Sequence, residues 1–183
     1  MRALVPIAGV IERQTSTKDI VRLRSQFEGC AGWNGGHYYG NEELPGGVRD
    51  KMLAIRIETL MNYGFGTFLS ETIENLAERT RIIHDRAENW ATQFDANALA
   101  IIYEAGIASK ADASAIKAPL LNVLANSDNV VNIGLGKPTV ALLKSHSIDA
   151  TFHEIDTRYG HTGPMLDAVK WANTLSKFLA STP

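Results

Sequence analysis

The fold is decided by residues 119–129, which read Pro-Leu-Leu-Asn-Val-Leu-Ala-Asn-Ser-Asp-Asn: a nearly continuous apolar run followed at once by polar residues. Two further runs, residues 3–10 and 150–155, are also predicted as strands, and the first of these is similarly continuous. Continuous apolar runs are typical of strands buried on both faces of a parallel sheet. Within residues 3–10, Pro6 should lie at an edge or a bulge, because proline cannot donate a ladder hydrogen bond.

Helical patterns separate these strands and predict an α/β architecture with a helical insertion. The insertion contains a predicted helix over Lys51–Tyr63, another that follows the N-cap Asp95, and one apolar stripe on a long helix or a helix pair. Pro138 suits the first turn of a later helix, and the last helix is predicted from about Pro164. The stripe comprises Leu69, Ile73, Leu76, Thr80, Ile83, Ala87, Trp90 and Phe94, and the last helix carries Leu166, Val169, Ala172, Leu175 and Phe178.

The composition is that of an ordinary globular protein, since 45% of the 183 residues are hydrophobic and 21% are charged. Eighteen basic and twenty acidic side chains give a formal charge of -2 without a charged block, which argues against a nucleic-acid partner. No run approaches the roughly 18 apolar residues of a membrane span. The single cysteine, Cys30, cannot form an internal disulfide. We therefore expect a cytoplasmic protein with neither a membrane nor a nucleic acid as partner.

The first predicted strand poses a physical difficulty. A parallel sheet of three apolar strands would leave residues 3–10 as an uncovered hydrophobic edge, and natural proteins avoid such edges because they pair with other chains. We therefore expect further strands beside this edge, supplied by residues that precede this sequence or by a partner chain.

Two polar loops follow consecutive predicted strands. Asp128 lies just after the second strand, and His161, within Gly160-His161, lies just after the third. Functional groups gather at the carboxyl ends of parallel strands. An Asp and then a His in this order is how α/β-hydrolases place the acid and base of a Ser-Asp-His triad, in which the carboxylate orients the imidazole. On spacing alone, an Asx-turn role for Asp128 and a solvated position for His161 remain about equally open.

A nucleophile for such a triad is missing from the sequence. No Gly-x-Ser-x-Gly motif occurs, and Ser127 is too close to Asp128 to serve. A nucleophilic Cys30 paired with His161 is a remote alternative. The more ordinary interpretation is that Cys30 is a small buried residue. No spacing of histidines, cysteines and carboxylates indicates a metal site, and no cofactor is predicted.

Four stretches occur in an order that is typical of one enzyme family: Trp33-Asn34-Gly35-Gly36-His37-Tyr38-Tyr39, Gln93-Phe94-Asp95-Ala96-Asn97-Ala98, the Asp128 loop and Gly160-His161. With these stretches the chain resembles, from Arg2 onward, the post-nucleophile portion of homoserine O-acetyltransferases and their α/β-hydrolase relatives. The Phe-Asp-Ala-Asn stretch is the most specific of them.

The resemblance implies a partial α/β-hydrolase fold, in which residues 1–11 and 111–183 form the C-terminal part of the core and residues 12–110 form a helical lid. It implies that Asp128 and His161 are the triad acid and base, and that the nucleophilic serine and the oxyanion-hole amides lie upstream of Met1. An acyl group would pass from an acyl-thioester such as acyl-CoA to the serine and then to an acceptor hydroxyl. Family members often dimerise through lid helices, so a homo-oligomer is also expected.

Two positions depart from the family's pattern. The Asp that follows the catalytic His and recognises the substrate amine is replaced by Thr162, and a lid Arg expected before a Met corresponds to Lys51. A threonine cannot neutralise an ammonium, and a lysine cannot reproduce the bidentate grip of an arginine on a carboxylate. Lys51 and Thr162 are therefore the predicted substrate-binding positions, and they argue against homoserine as the acceptor.

Two functions follow from these observations. The first is the lid and Asp/His portion of an acyltransferase or esterase, inactive without a serine from elsewhere. The alternative is a non-catalytic remnant, or an interaction module whose exposed edge and lid helices bind a partner or a second copy. An upstream reading frame that carries Gly-x-Ser-x-Gly would favour the enzyme.

Overall fold

The computed structural model describes residues 2–11, 16–108 and 111–182. The chain divides into two compact units, which we call the sheet unit and the helical unit. The sheet unit comprises Met1–Arg13, Asn62–Leu69 and Lys110–Pro183, and the helical unit comprises Gln14–Met61 and Ser70–Ser109. The predicted lid boundaries at Glu12 and Lys110 lie outside the described residues, and the division into core and lid stays a prediction.

An α/β fold is confirmed, because the described residues contain a parallel two-stranded sheet and a series of helices. None of the described helices is both long enough and apolar enough to cross a membrane. The strands are β1 (Leu120–Ala125) and β2 (Ala150–Ile155). The helices are α1 (Thr17–Glu28), α2 (Val48–Asn62), α3 (Phe65–Thr72), α4 (Leu76–Gln93), α5 (Ala96–Ala108), α6 (Gly136–Ser145), α7 (Gly163–Leu166) and α8 (Ala172–Ser181).

The sheet is built around β1, which pairs in parallel with β2 along its whole length. Every residue of β1 is buried. On one face, Leu121 and Val123 pack with Ile155 and Trp171, and on the other face Leu120 packs with apolar side chains of α6. Burial on both faces explains why the sequence of β1 is continuously apolar.

The strand predicted over residues 3–10 is reduced to two isolated parallel bridges, in which Leu4 and Ile7 lie beside β1. The amide of Leu4 donates to the carbonyl of Pro119, just before β1, and the amide of Ala8 donates to β1, both at 2.9 Å. The carbonyl oxygens of Leu4 and Pro6 accept from β1 at 3.0 Å. Pro6 has no N–H, so the ladder lacks a bond in the middle of this segment. The prediction of a regular strand is therefore wrong, and the reason is the proline.

The apolar stripe lies on a helix pair rather than on one long helix. Residues 73–75 separate α3 from α4, and the side chain of Asn75 caps α4 by accepting a hydrogen bond from the amide of Glu78 at 3.1 Å. Among the stripe residues, Leu69 on α3 and Ala87 on α4 are buried, whereas Leu76 is 69% exposed.

The other helices of the helical unit follow local signals in the sequence. The helix predicted over Lys51–Tyr63 corresponds to α2, which begins three residues earlier and ends at Asn62, and α5 follows Asp95, whose carboxylate accepts a hydrogen bond from the amide of Ala98 at 2.6 Å. The sequence analysis did not predict α1, although a capping pair marks its start. The carboxylate of Asp19 accepts hydrogen bonds from the amide and the hydroxyl of Ser16, both at 2.8 Å.

The C-terminal helix is broken, which corrects the prediction of one continuous helix from Pro164. α7 ends at Leu166, a short 3-10 turn follows, and α8 begins at Ala172. The break lets Trp171 turn inward, where it is 6% exposed and its indole N–H donates to the carbonyl of Pro164 at 2.9 Å. Val169, predicted on the apolar face, is 84% exposed as a result.

Candidate active site

The loop after β1 holds the carboxylate of Asp128 in two different contacts. Its Oδ1 accepts hydrogen bonds from the amides of Val130 at 2.7 Å and Val131 at 3.0 Å. Its Oδ2 lies 2.8 Å from Nδ1 of His161, and the side chain of Asp128 is 0% exposed. The Asx-turn interpretation and the pairing with a histidine are therefore both true of this residue, because each uses a different oxygen.

The charge state of Asp128 follows from these contacts. Burial alone raises the pKa of the Asp128 carboxyl, but the hydrogen bonds from His161, Val131 and Val130 outweigh burial and lower that pKa below its ordinary value. Asp128 is therefore ionised at neutral pH and can only accept hydrogen bonds.

His161 lies in the short turn Gly160–Thr162 after β2, and its side chain is 24% exposed. Because the facing oxygen of Asp128 can only accept, the proton of the neutral imidazole is on Nδ1. Nε2 then carries a lone pair and can take a proton from a neighbouring group. An imidazole held in this tautomer by a buried carboxylate is suited to act as a general base.

Side chains from the β1 loop tie the two loops together. Asn126 accepts a hydrogen bond from the amide of Thr157 at 3.0 Å and donates to the carboxylate of Asp156 at 2.8 Å. Ser127 donates to the carbonyl of Thr157 at 2.6 Å and accepts from the amide of Gly160 at 3.1 Å. Sequence reasoning did not find these roles. The available signal was that both residues lie within two positions of Asp128.

The segment between α2 and α3 packs against the His161 turn within the sheet unit. The ring of Tyr63 lies 4.5 Å from the imidazole of His161, centroid to centroid, at an interplanar angle of 53°. The amide of Thr162 donates to the carbonyl of Tyr63 at 3.0 Å. Gly64 has φ +88°, and a Cβ at this position would overlap the carbonyl of Tyr159. Neither Tyr63 nor Gly64 was singled out from the sequence.

The two predicted substrate-binding residues have different surroundings. The hydroxyl of Thr162 lies within hydrogen-bonding distance of the carbonyls of Tyr159 at 2.8 Å and Tyr63 at 3.1 Å. Lys51 belongs to the helical unit, where it lines a cavity of about 340 Å³ together with Cys30 and Asp50. The substrate-binding roles of both residues stay predictions.

Cys30 is 9% exposed, and its thiol lies 3.5 Å from the carbonyl of Gln26. Burial raises the pKa of the Cys30 thiol, which disfavours the thiolate that a nucleophile requires. In the described part of the chain, no group of three or more histidines, cysteines and carboxylates could hold a metal ion.

No protein-family model and no curated protein matches this chain. Solved structures do match it. Esterase E22 aligns with a TM-score of 0.76 at 18% identity over 97% of this chain and 54% of that structure. Homoserine O-acetyltransferase from Bacillus anthracis aligns with a TM-score of 0.72 at 15% identity over 99% of this chain and 54% of that one.

A third match is an acetylester hydrolase from Corynebacterium glutamicum, with a TM-score of 0.65 at 19% identity over 98% of this chain and 54% of that structure. This chain thus spans about half the length of each of these three solved structures. All three have the α/β-hydrolase fold. We conclude that the fold of this chain matches the C-terminal part of structures with the α/β-hydrolase fold.

Proposed function

We propose that this chain supplies the acid and the base of a Ser-His-Asp triad in an α/β-hydrolase-fold enzyme that transfers acyl groups or hydrolyses esters. The observation that carries the proposal is the 2.8 Å contact between the buried Oδ2 of Asp128 and Nδ1 of His161, on loops that follow two adjacent parallel strands. Esterases and an acetyltransferase among the structures of similar fold support the same class of reaction.

In the proposed reaction, Nε2 of His161 takes the proton of a serine hydroxyl as the serine oxygen attacks the carbonyl carbon of an ester or thioester. The ionised carboxylate of Asp128 stabilises the imidazolium that forms. Nε2 then returns the proton to the leaving alcohol or thiol, which departs as the carbonyl re-forms. Attack of water, or of an acceptor hydroxyl, on the acyl-serine repeats these steps and releases the acid or the new ester.

The serine in this proposal comes from residues outside this sequence, since the sequence contains no Gly-x-Ser-x-Gly motif. In this scheme the acyl donor is a small ester or an acyl-CoA, and the acceptor hydroxyl belongs to a second small molecule. Lys51 and Thr162 are the proposed contacts to the acceptor.

The test is co-expression of the 183-residue chain with the polypeptide encoded directly upstream, followed by a turnover assay with a short-chain aryl ester. Asp128→Asn should lower kcat by about 10⁴-fold and His161→Ala by about 10⁶-fold. Matched controls are Asp149→Asn and His146→Ala, which change an exposed Asp and an exposed His of the same unit and should leave turnover unchanged.

Turnover that survives both Asp128→Asn and His161→Ala would show that the triad assignment is wrong. An upstream sequence without a Gly-x-Ser-x-Gly serine, together with no turnover, would favour the non-catalytic alternative.

A further inference from the structure

The hydroxyl of Ser127 occupies an unusual place between the two loops that carry Asp128 and His161. It belongs to the residue directly before Asp128. It accepts a hydrogen bond at 3.1 Å from the amide of Gly160, which is the residue directly before His161. The side chain of the residue before the acid is therefore hydrogen-bonded to the backbone of the residue before the base.

The same hydroxyl uses its proton in a second bond to the base loop. Ser127 Oγ donates to the carbonyl of Thr157 at 2.6 Å. Since its proton is committed to that carbonyl, Ser127 is poorly suited to act as a nucleophile, and the sequence-based exclusion of Ser127 gains a physical reason.

Thr157 is itself held by burial and by hydrogen bonds. It is 5% exposed, its amide donates to Asn126 Oδ1 at 3.0 Å, and its own hydroxyl donates to Asp167 Oδ2 at 2.6 Å. Both backbone polar groups of Thr157 are thus bonded to side chains of the β1 loop. Because the Ser127 hydroxyl is bonded to both Thr157 and Gly160, it sets the distance between the loop that carries Asp128 and the loop that carries His161.

We infer that Ser127 is a positioning residue that keeps the carboxylate of Asp128 in contact with Nδ1 of His161. The inference depends on the proposed function for its catalytic consequence, but the contact itself can be measured without any turnover. Removing the hydroxyl leaves the amide of Gly160 and the carbonyl of Thr157 without these bonds, so the base loop can shift relative to Asp128.

The experiment is proton NMR of the 183-residue chain, which follows the proton on Nδ1 of His161. A proton shared between an imidazole and a carboxylate resonates far downfield and exchanges slowly with water. We expect this signal in the unmodified chain, its loss or broadening in Ser127→Ala, and its recovery in Ser127→Thr, which keeps the hydroxyl. Ser145→Ala is the matched control, because it removes a 2.7 Å hydroxyl-to-carbonyl bond at the end of α6 and should leave the signal unchanged.

An unchanged signal in a folded Ser127→Ala variant would overturn the inference. If that variant fails to fold, Ser127→Cys keeps the side-chain volume and weakens both bonds, and an unaltered signal in that variant would overturn the inference equally. If Asp128→Asn leaves the signal of the unmodified chain in place, the Asp128–His161 contact is itself wrong, and the proposed function fails with it.

Turnover of the co-expressed enzyme provides the catalytic readout. Ser127→Ala should lower kcat by up to about 100-fold with little change in KM, and Ser127→Thr should restore most of it. If the NMR signal is lost without any change in kcat, Ser127 positions His161, but the expected effect of Ser127 on catalysis is wrong.

Discussion

Some residues in this chain form hydrogen bonds to more than one structural element. The number of these bonds decides how much each residue contributes to stability or to the candidate site. Asp128 uses one carboxylate oxygen to close its own loop and the other to hold His161. In the helical unit, Tyr38 behaves in a similar way. Its hydroxyl donates to Asp95 at 2.5 Å and accepts from the amide of Ala96 at 3.0 Å.

Tyr38→Phe should lower the free energy of unfolding by about 1–3 kcal/mol at neutral pH, because it leaves the fully buried amide of Ala96 without that partner. Urea denaturation measures the effect. Tyr103→Phe, at a position 43% exposed on α5, is the control and should change stability by less than about 0.5 kcal/mol.

The destabilisation by Tyr38→Phe should also depend on pH. Burial raises the pKa of Asp95, but hydrogen bonds from Tyr38 and the start of α5 outweigh burial and lower that pKa below its ordinary value of 3.8. A lowered carboxyl pKa contributes stability above the unfolded-state value, and that stability is lost as the pH falls through the folded-state value. The difference between Tyr38→Phe and the unmodified chain should therefore be largest above about pH 5 and shrink below about pH 4. A difference that grows on acidification would contradict this assignment.

At the scale of elements, the junction of α2 and α3 supports the base loop. The chain can turn closely beneath Tyr159 at this junction only because Gly64 has no side chain. The turn places the ring of Tyr63 against His161 and lets the carbonyl of Tyr63 accept a hydrogen bond from the amide of Thr162. A local change at Gly64 should therefore reach the candidate active site.

Gly64→Ala combines an unfavourable φ with an overlap against the backbone of Tyr159, and we expect it to lower the free energy of unfolding by about 2–5 kcal/mol. Gly40→Ala is a close control, because Gly40 has φ +84° and open space around it, so it should show only the backbone cost of about 1–2 kcal/mol. Equal losses for the two variants, measured by thermal or urea unfolding, would show that Tyr63–Gly64 does not pack against the base loop.

At the scale of the whole molecule, the sheet is narrow for an α/β fold. β2 covers one edge of β1, and the segment around Leu4 and Ile7 covers the other. The outer edge of that segment forms no bridge with any described residue, and Ile7 is 47% exposed. This agrees with the expectation from the sequence that residues 3–10 form an uncovered apolar edge.

The chain expressed alone should therefore self-associate through this edge, and Ile7→Lys should reduce the association because an edge lysine opposes strand pairing. Size-exclusion chromatography with light scattering over a range of concentrations measures the effect. Val169→Lys is the control, since Val169 is exposed in the turn between α7 and α8 and belongs to neither of the described strands. Association that persists in Ile7→Lys would point to another surface, such as the predicted lid helices.

The sequence by itself determined the features that depend on local patterns. The apolar run of β1, the cap at Asp95, and the order of an Asp and then a His after successive strands could all be found from the sequence. The α/β fold followed from them, whereas spacing alone left the roles of Asp128 and His161 open. The interruption at Pro6 was also foreseeable, because proline lacks a donor in any surroundings.

Only the tertiary structure decided which residues meet across long stretches of sequence. It brought Tyr63 and Gly64 against the turn that carries His161, placed Ser127 between Thr157 and Gly160, and broke the last helix so that Trp171 could be buried. Such contacts depend on the closure of long loops and on the shape of the surrounding core. They therefore leave no periodic trace in the sequence.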